Sequence, residues 1–375
     1  MTKSNQTKKV KVCLVSISLG RGGAERSTAL LSMMLMNAGF DVTIVILTDR
    51  IDYKYAGKLF NLGKLKNKNN NIVSRFHRFS KFKKFLKQNN FDVIIDNRVK
   101  NDWKKEHYYL NYLYRGQRLI YVIRSFKKEN YLTHHKATTQ KIINRVEAIV
   151  SVSKEIAEVM NKKYNTSCFI PIYNPIENLE VKENKSIDLP NNYVLFLGRL
   201  DIYVKNLPLL LEAYSQSILP ESEVSLILVG EGEGKEYISN RAVELNISDR
   251  VHCLPFTPHV GVYLQNAKFL ILTSRYEGFP RVIIESLSVG TPVVSVDCQS
   301  GPKEVIRHEK NGLLVPNYDI ELLIHSLNRM YTDKKLYQYC KENAQESVAH
   351  LKTEIIANQW KILIKRILDN QSSCE

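Results

Sequence analysis

The chain is expected to fold as α/β, in two domains each built on a doubly wound parallel sheet. Three observations lead there. Residues 10–47 read strand, glycine loop, helix, strand, which is the opening unit of a parallel sheet. The same order restarts at Tyr193–Leu197, which runs into Gly198 and a helix beginning near Lys205. With 375 residues, 44% of them hydrophobic, the chain can bury two cores of ordinary size. Prolines around Asn174 in IPIYNPI (170–176) fit a hinge and 180–190 reads as a polar linker, so domains are expected at 1–175 and 176–357.

In the first domain Val10–Ser18 is an aliphatic strand, Gly20-Arg21-Gly22-Gly23 a loop, and Ala24 to about Asn37 a helix ended by Gly39. Val42–Leu47 is the second strand. The loop lacks the G-x-G-x-x-G spacing of a dinucleotide fold. Gly22 and Gly23 at a helix start fit either a tight turn or the close approach of a phosphate. Residues 61–71 are polar and low in complexity, as in a mobile loop. In RFHRFSKFKKFLKQNN (75–90), Phe76, Phe79, Phe82, Phe85 and Leu86 share one side of a helix. Lys81, Lys84 and Lys87 lie opposite, Arg78 and Lys83 flank the boundary, and Arg75 interrupts the apolar arc. Such a helix packs its phenylalanines on the sheet, or lies in an anionic membrane surface, or does both with its lysines toward lipid. Phe91–Asp96, Leu119–Ile123 and Ala148–Val152 are further strands, 103–118 a helix, and Ser153 an N-cap for the next helix. His134 and His135 are adjacent and do not share a helix face, so no metal pair is expected there.

In the second domain Val224–Val229 leads into Gly230-Glu231-Gly232-Glu233-Gly234, and Arg250–Leu254 is a strand. Leu254-Pro255-Phe256 offers backbone and an aromatic ring to a nucleobase. Ala267–Thr273 enters the turn Gly278–Pro280, after which an apolar helix runs to Gly290. Pro292–Val296 is a buried-type strand, Gly301 a turn and Gly312–Val315 a strand, with helices at about 319–331, 333–347 and 352–368. Glu277 precedes the Gly-Phe-Pro turn, and Glu285 interrupts aliphatic residues on the helix behind it. Two carboxylates at the ends of one rigid turn can hold an extended polyhydroxylated ligand. The turn between them, Gly278, Phe279, Pro280 and Arg281, opens a helix whose first N–H groups, Pro280 contributing none, suit a phosphate. Arg199, just past a strand, and Lys205, at the next helix start, are either surface charges or a phosphate clamp.

Net charge is +16, but unevenly spread. Residues 1–175 hold 33 basic and 12 acidic side chains against 21 and 26 in 176–375, so the first half faces a polyanion. No window reaches the length of a spanning helix, the polar start MTKSNQTKKVKV lacks a secretory h-region, and the six cysteines are scattered. A cytoplasmic location with reduced thiols is expected.

Glu277-x7-Glu285, Gly290-Thr291-Pro292-Val293-Val294 and Gly301-Pro302-Lys303-Glu304-Val305-Ile306 together resemble the signature of the retaining GT-B glycosyltransferases of family four. Glu-x7-Glu alone is common; the three in register are specific. The resemblance is strongest from 193 to 316 and loose between 50 and 145. It implies two Rossmann-like domains facing each other across a deep cleft, with the last helix, about 358–375, crossing back to the first. It implies that Glu277 lies by the donor sugar and Glu285 holds the ribose hydroxyls of a nucleotide-sugar. Gly198-Arg199-Leu200 with Lys205-Asn206 resembles the family's pyrophosphate clamp, which assigns Arg199 and Lys205 to the diphosphate. Gly230 and Gly232 match its Val-Gly-x-Gly, and Gly22-Gly23-Ala24-Glu25-Arg26 resembles its N-terminal loop toward donor phosphate and acceptor. The 75–90 segment is similar to the basic helix with which some members grip a polyprenyl-linked pyrophosphate. Where the family often has a histidine near the bound sugars, this chain has Arg124.

The expected reaction is therefore transfer of a hexosyl or N-acetylhexosaminyl group from a nucleotide-sugar with retention. Arg199, Lys205 and helix-start amides neutralise the departing diphosphate, and Glu277 positions the sugar. No enzymatic nucleophile is evident and, with no Asp-x-Asp pair, no catalytic metal or other cofactor is expected. Uridine is the commoner base in similar enzymes, with guanosine open. The expected acceptor is a polyprenyl-diphosphate-linked glycan on the inner face of the cell membrane, in assembly of a surface polysaccharide such as lipopolysaccharide or capsule. Alternatives are a soluble acceptor, a non-hydrolysing sugar-nucleotide epimerase of the same fold, whose uracil-binding and proton-abstracting residues are not recognisable, or a purely structural protein. A basic nucleic-acid-binding protein is the alternative from another class, since aromatics interleave with basic residues in 103–128; no nucleic-acid module is present, so no nucleic-acid partner is expected.

Overall fold

The structure, a computed structural model, describes residues 9–20, 22–66, 72–127, 129–177, 179 and 189–369. Residues 67–71 of the loop read at 61–71, 180–188 of the linker, and Arg21 lie outside them. The chain divides into two compact units, Met1–Asn174 with Thr353–Glu375, and Pro175–Lys352.

The first unit holds β1 (Lys11–Ser16), β2 (Asp41–Ile46), β3 (Lys58–Asn61), β4 (Val93–Asp96), β5 (Leu119–Ile123), β6 (Ala148–Ser151) and β7 (Phe169–Pro171). They pair in the order β3-β2-β1-β4-β5-β6-β7, parallel throughout. Val12, Leu14, Val42, Ile44, Ile94 and Ile120 are fully buried, and this is why the strands read as unbroken aliphatic runs. A parallel sheet is covered by helices on both faces. Neither β3 nor β7 was legible as a strand: both are short edge strands, and Pro171 is tolerated only because it ends one. The helix Gly23–Asn37 buries Leu30, Leu31, Met34 and Leu35, and the chain leaves it through Gly39 at φ 94. The last helix, Thr353–Asp369, packs against it and buries Ile356, Trp360, Leu363, Ile364 and Ile367. The segment read as one helix at 103–118 is α-helical only over Trp103–Tyr108. A π turn follows, in which Tyr114 N donates to Tyr109 O at 2.8 Å.

The second unit holds β8 (Tyr193–Leu197), β9 (Ser225–Val229), β10 (Val251–Leu254), β11 (Leu270–Leu272), β12 (Val293–Asp297) and β13 (Gly312–Pro316). Their order is β10-β9-β8-β11-β12-β13, again all parallel. Strand order reverses between β1 and β4 in one sheet and between β8 and β11 in the other. In open parallel sheets, ligands bind beyond the carboxyl ends of the strands at such reversals.

Candidate active site

In the second unit, the loops leaving β8, β9, β11 and β12 meet at this carboxyl edge. The first two are pressed backbone to backbone. Gly198 N donates to Val229 O at 3.1 Å, and a Cβ on Gly230 would stand 1.8 Å from Gly198 O, so only glycine fits. A Cβ on Gly232 would meet Leu200 O at 2.4 Å. Leu254, half-buried at the end of β10, gives its carbonyl to Gly230 N at 3.1 Å, so part of the backbone read as free for a base is engaged; Phe256 beyond it is 39% exposed.

The loop after β8 is tied to the loop after β11. Thr273 Oγ1 donates to Lys205 O at 2.9 Å, and Arg275 N to Val204 O at 2.9 Å. This holds Lys205 so that its Nζ lies 2.6 Å from Glu277 Oε1, which also accepts from Ser274 Oγ at 2.7 Å. The two side chains are 16% and 15% exposed. Arg199 is not gathered into this pair: its side chain is 72% exposed and lies 3.5 Å from Asp201 Oδ2. Behind the pair, burial first and then Glu277 push the Cys298 thiol far above its ordinary range, so it is no nucleophile.

The Gly278–Pro280 turn is fixed from the next strand. Glu277 N donates to Gln299 O at 2.7 Å and Ser300 Oγ to Gly278 O at 2.7 Å, while Phe279 is buried. Gly301, at φ 107, packs where a Cβ would stand 2.6 Å from Pro280 Cδ. The helix Arg281–Ser288 then carries Glu285, whose side chain is 4% exposed and lies 3.3 Å from Arg281 Nη2. Arg281 also pairs with Glu177, a residue the sequence did not single out. Glu285 is thus neither a solvated surface charge nor an openly offered carboxylate; it is oriented by Arg281.

At the carboxyl edge of the first sheet, Arg124 follows β5. Its Nη2 donates to Asn97 Oδ1 at 2.8 Å and its Nη1 to Asn174 Oδ1 at 3.0 Å, and Asn174 also accepts from Ser27 Oγ at 3.3 Å. Asn97 directly follows β4, with its N donating to Val15 O at 2.8 Å. Glu25, in the first turn of the helix Gly23–Asn37, has its carboxyl pushed up by burial and drawn back by Arg124. Gly22 N donates to Tyr53 Oη at 3.3 Å, and a Cβ there would stand 2.3 Å from Glu25 Oε2; around Gly23 there is open space.

Two family models match this chain: Glycosyltransferase Family 4 over residues 21–177 and Glycosyl transferases group 1 over residues 178–347. A Haemophilus influenzae protein described as an uncharacterized glycosyltransferase is 30% identical over 256 residues, 68% of this chain and 67% of its own length. This chain is a family-four-type glycosyltransferase with the GT-B fold. The N-acetylgalactosamine-N,N'-diacetylbacillosaminyl-diphospho-undecaprenol 4-alpha-N-acetylgalactosaminyltransferase of Campylobacter jejuni is 26% identical, covering 94% of this chain and 99% of its own. The fold is shared with HepE of Anabaena, solved with UDP and glucose, at a TM-score of 0.76 and 19% identity, covering 95% of this chain and 100% of that one.

The glycosyltransferase's basic helix, Ile72–Asn89, packs its apolar face on the first unit. Phe82 and Leu86 are buried, Phe85 stacks on Phe60 at 3.9 Å, and Phe79 lies 4.2 Å from Tyr108. Phe76 departs from the reading and is 60% exposed at the first turn. Lys81, Lys84 and Lys87 are exposed, and Arg78 is half-buried beside Tyr109. Among the described residues no helix is long and apolar enough to cross a membrane.

Sequence reading missed a charged network buried behind Asn97. Arg98 Nη2 lies 2.7 Å from Asp96 Oδ2 and its Nη1 3.1 Å from Glu106 Oε1, all three wholly buried. Lys100, also wholly buried, donates to Arg98 O at 2.7 Å and Asp96 O at 3.1 Å, and burial pulls it down to about 8. Tyr114 Oη donates to Asp96 Oδ2 at 3.0 Å. Only chemistry-bearing density around Asn97, in DNRVKNDWKKE, could have flagged it. A cavity of about 480 Å³ lined by Gln265, Asn266, Val289, Thr291, Tyr337 and Lys341 opens at the amino ends of β11 and β12, opposite the edge that carries Lys205 and Glu277, and plays no part in their chemistry.

Proposed function

We propose that this glycosyltransferase moves a sugar from a nucleoside-diphosphate sugar, with uridine as the base, to a hydroxyl of a polyprenyl-diphosphate-linked glycan, retaining anomeric configuration. The observation that carries the donor half is the Lys205–Glu277 pair at 2.6 Å, set at the strand reversal beside the abutting Gly198 and Gly230. A cation and a carboxylate that neutralise each other at rest are the two groups that a sugar diphosphate separates. Lys205 turns to the diphosphate and is joined there by Arg199; Glu277 turns to the sugar hydroxyls. Glu285, oriented by Arg281, takes the ribose hydroxyls. The bond from the anomeric carbon to the diphosphate oxygen breaks, the acceptor oxygen bonds on the same face, and the acceptor proton passes to the leaving oxygen. No step calls for a metal or an enzymatic nucleophile.

The Campylobacter relative, named for an undecaprenol-diphosphate acceptor and similar over nearly its whole length, supports a lipid-linked acceptor. UDP and glucose in the HepE structure support a uridine donor. The exposed Lys81, Lys84 and Lys87 on an anchored helix suit an anionic bilayer, which supports a place at the inner face of the membrane in surface-polysaccharide assembly. The test is incubation of the full chain with UDP- and GDP-sugars and undecaprenyl-diphosphate-linked disaccharides, with the product anomer read by NMR. Transfer is expected from a UDP-sugar, and Lys205→Ala and Glu277→Ala are each expected to lose it about 100-fold or more; near-full activity in both variants would remove the proposal.

A further inference from the structure

Three successive carbonyls of the loop after β8 are taken up by the loop after β11. Lys205 O accepts from Thr273 Oγ1 and Val204 O from Arg275 N, each at 2.9 Å. Tyr203 O accepts from Arg275 Nε at 3.1 Å, the tie among the three that depends on the Arg275 side chain. The same guanidinium stands 4.8 Å from the centre of the Tyr203 ring and 5.4 Å from that of Tyr318, as cation–π contacts do. Among the described residues no carboxylate pairs with Arg275, so its hold is on the two rings and the Tyr203 carbonyl.

The rings are not there as core. Tyr203 is 66% and Tyr318 58% exposed, so they bury little apolar surface. Tyr318 also sits at φ 67, a region that a bulky side chain rarely adopts. Asn317, which directly follows β13, donates its Nδ2 to Arg275 O at 3.3 Å and fastens that turn to the same residue. Arg275 thus joins the loops after β8, β11 and β13.

The tie gains its use when a ligand arrives. At rest the ion pair of Lys205 with Glu277 also holds the loops after β8 and β11 together. A diphosphate that draws Lys205 away from Glu277 removes that link and leaves the carbonyl ties and the stack to hold the loop. We propose that Arg275, clamped between Tyr203 and Tyr318, is a positioning residue that fastens the loop carrying Arg199 and Lys205 and so sets how tightly a nucleoside diphosphate is held. This rests on the transferase reading above, and Arg275 acts through that loop without touching the ligand.

The experiment measures UDP affinity of the full chain by titration calorimetry, and amide exchange over residues 201–207 by mass spectrometry without nucleotide. Arg275→Ala should weaken UDP about tenfold, the loss of one hydrogen bond and two ring contacts, and should speed exchange over 201–207 about tenfold. Arg275→Lys keeps the charge but not the planar fork, so its affinity should stay within about twofold of Arg275→Ala. Tyr318→Gly removes one ring and suits the left-handed backbone. It should weaken UDP about threefold while the melting temperature of the free chain is kept. Native UDP affinity in Arg275→Ala, in Arg275→Lys or in Tyr318→Gly, or unaltered exchange over 201–207 in Arg275→Ala, overturns the proposal. A native chain that does not bind UDP would count against the donor reading, and the exchange measured without nucleotide would still decide whether Arg275 fastens the loop.

Discussion

Lys205 Nζ and Glu277 Oε1, 72 residues apart in sequence, lie 2.6 Å from each other and join the loops after β8 and β11 across the strand reversal of the second sheet. Because both side chains are mostly withdrawn from water, the pair couples the two loops. A double-mutant cycle with Lys205→Met and Glu277→Gln should give a coupling of about 1 kcal/mol in urea unfolding. Additivity within about 0.3 kcal/mol would mean that the two loops hold themselves independently of the pair.

Gly230 stands where any Cβ meets Gly198 O at 1.8 Å. Relieving that overlap moves the turn beside Lys205, so Gly230→Ala should destabilise by about 3 kcal/mol and weaken nucleotide binding together. Thermal unfolding with and without UDP checks both; unchanged values would show that the loops can part freely.

Arg98 satisfies Asp96 and Glu106 where neither meets water. Arg98→Met leaves buried Glu106 without its cation and Asp96 with only Lys100, 3.6 Å away, and should cost about 3–5 kcal/mol of unfolding free energy.

Lys100 is held in the folded chain at about 8, below its ordinary 10.5. Between these values the unfolded chain binds more protons than the folded one, so this residue makes stability rise with pH. The slope is at most about 1.4 kcal/mol per pH unit. Across about pH 8 to 9.5 thiols such as Cys13 and Cys298, raised chiefly by burial, oppose this as unfolded cysteines ionise, and Tyr114 and Tyr121 do so nearer 10, so the residue's share is a difference between two chains. Urea unfolding across that window should show a more positive slope in the native chain than in Lys100→Met; parallel curves would contradict it.

Lys81, Lys84 and Lys87 are exposed, so replacing all three with Glu should change stability by about 0.5 kcal/mol per site or less. Sedimentation with phosphatidylserine-containing vesicles should fall at least tenfold, since each cation near such a surface contributes about 1 kcal/mol. Undiminished sedimentation would remove the helix from the membrane contact.

The fold was legible because each parallel strand is an aliphatic run stopped by glycine or a polar turn, as at Tyr193–Leu197 before Gly198. The short edges β3 and β7 were not, since runs of four and three residues are too short to carry a periodicity. Phe76 was drawn into the apolar stripe of its helix by spacing alone, while the first unit covers only Phe79, Phe82, Phe85 and Leu86, the first two against Tyr108, Tyr109 and Tyr114. At the site, Glu277, Glu285, Arg199 and Lys205 stood out as residue types, but their pairing did not: that Arg199 is exposed, that Lys205 meets Glu277, and that Arg281 joins Glu285 to Glu177 depends on tertiary packing. Arg98 and Lys100 were not singled out because nothing local announces burial; Asp96, Glu106 and backbone carbonyls, brought together by the fold, hold them inside.

The most direct measurement is the thermal shift of the native chain and of Lys205→Ala with UDP at about 100 times its dissociation constant. Binding at that level adds about 2.7 kcal/mol, a rise of roughly 2–4 °C in the native chain that Lys205→Ala should largely lose. A native chain indifferent to UDP, or a variant shifted as far as the native, would contradict a sugar-diphosphate site at Lys205 and Glu277.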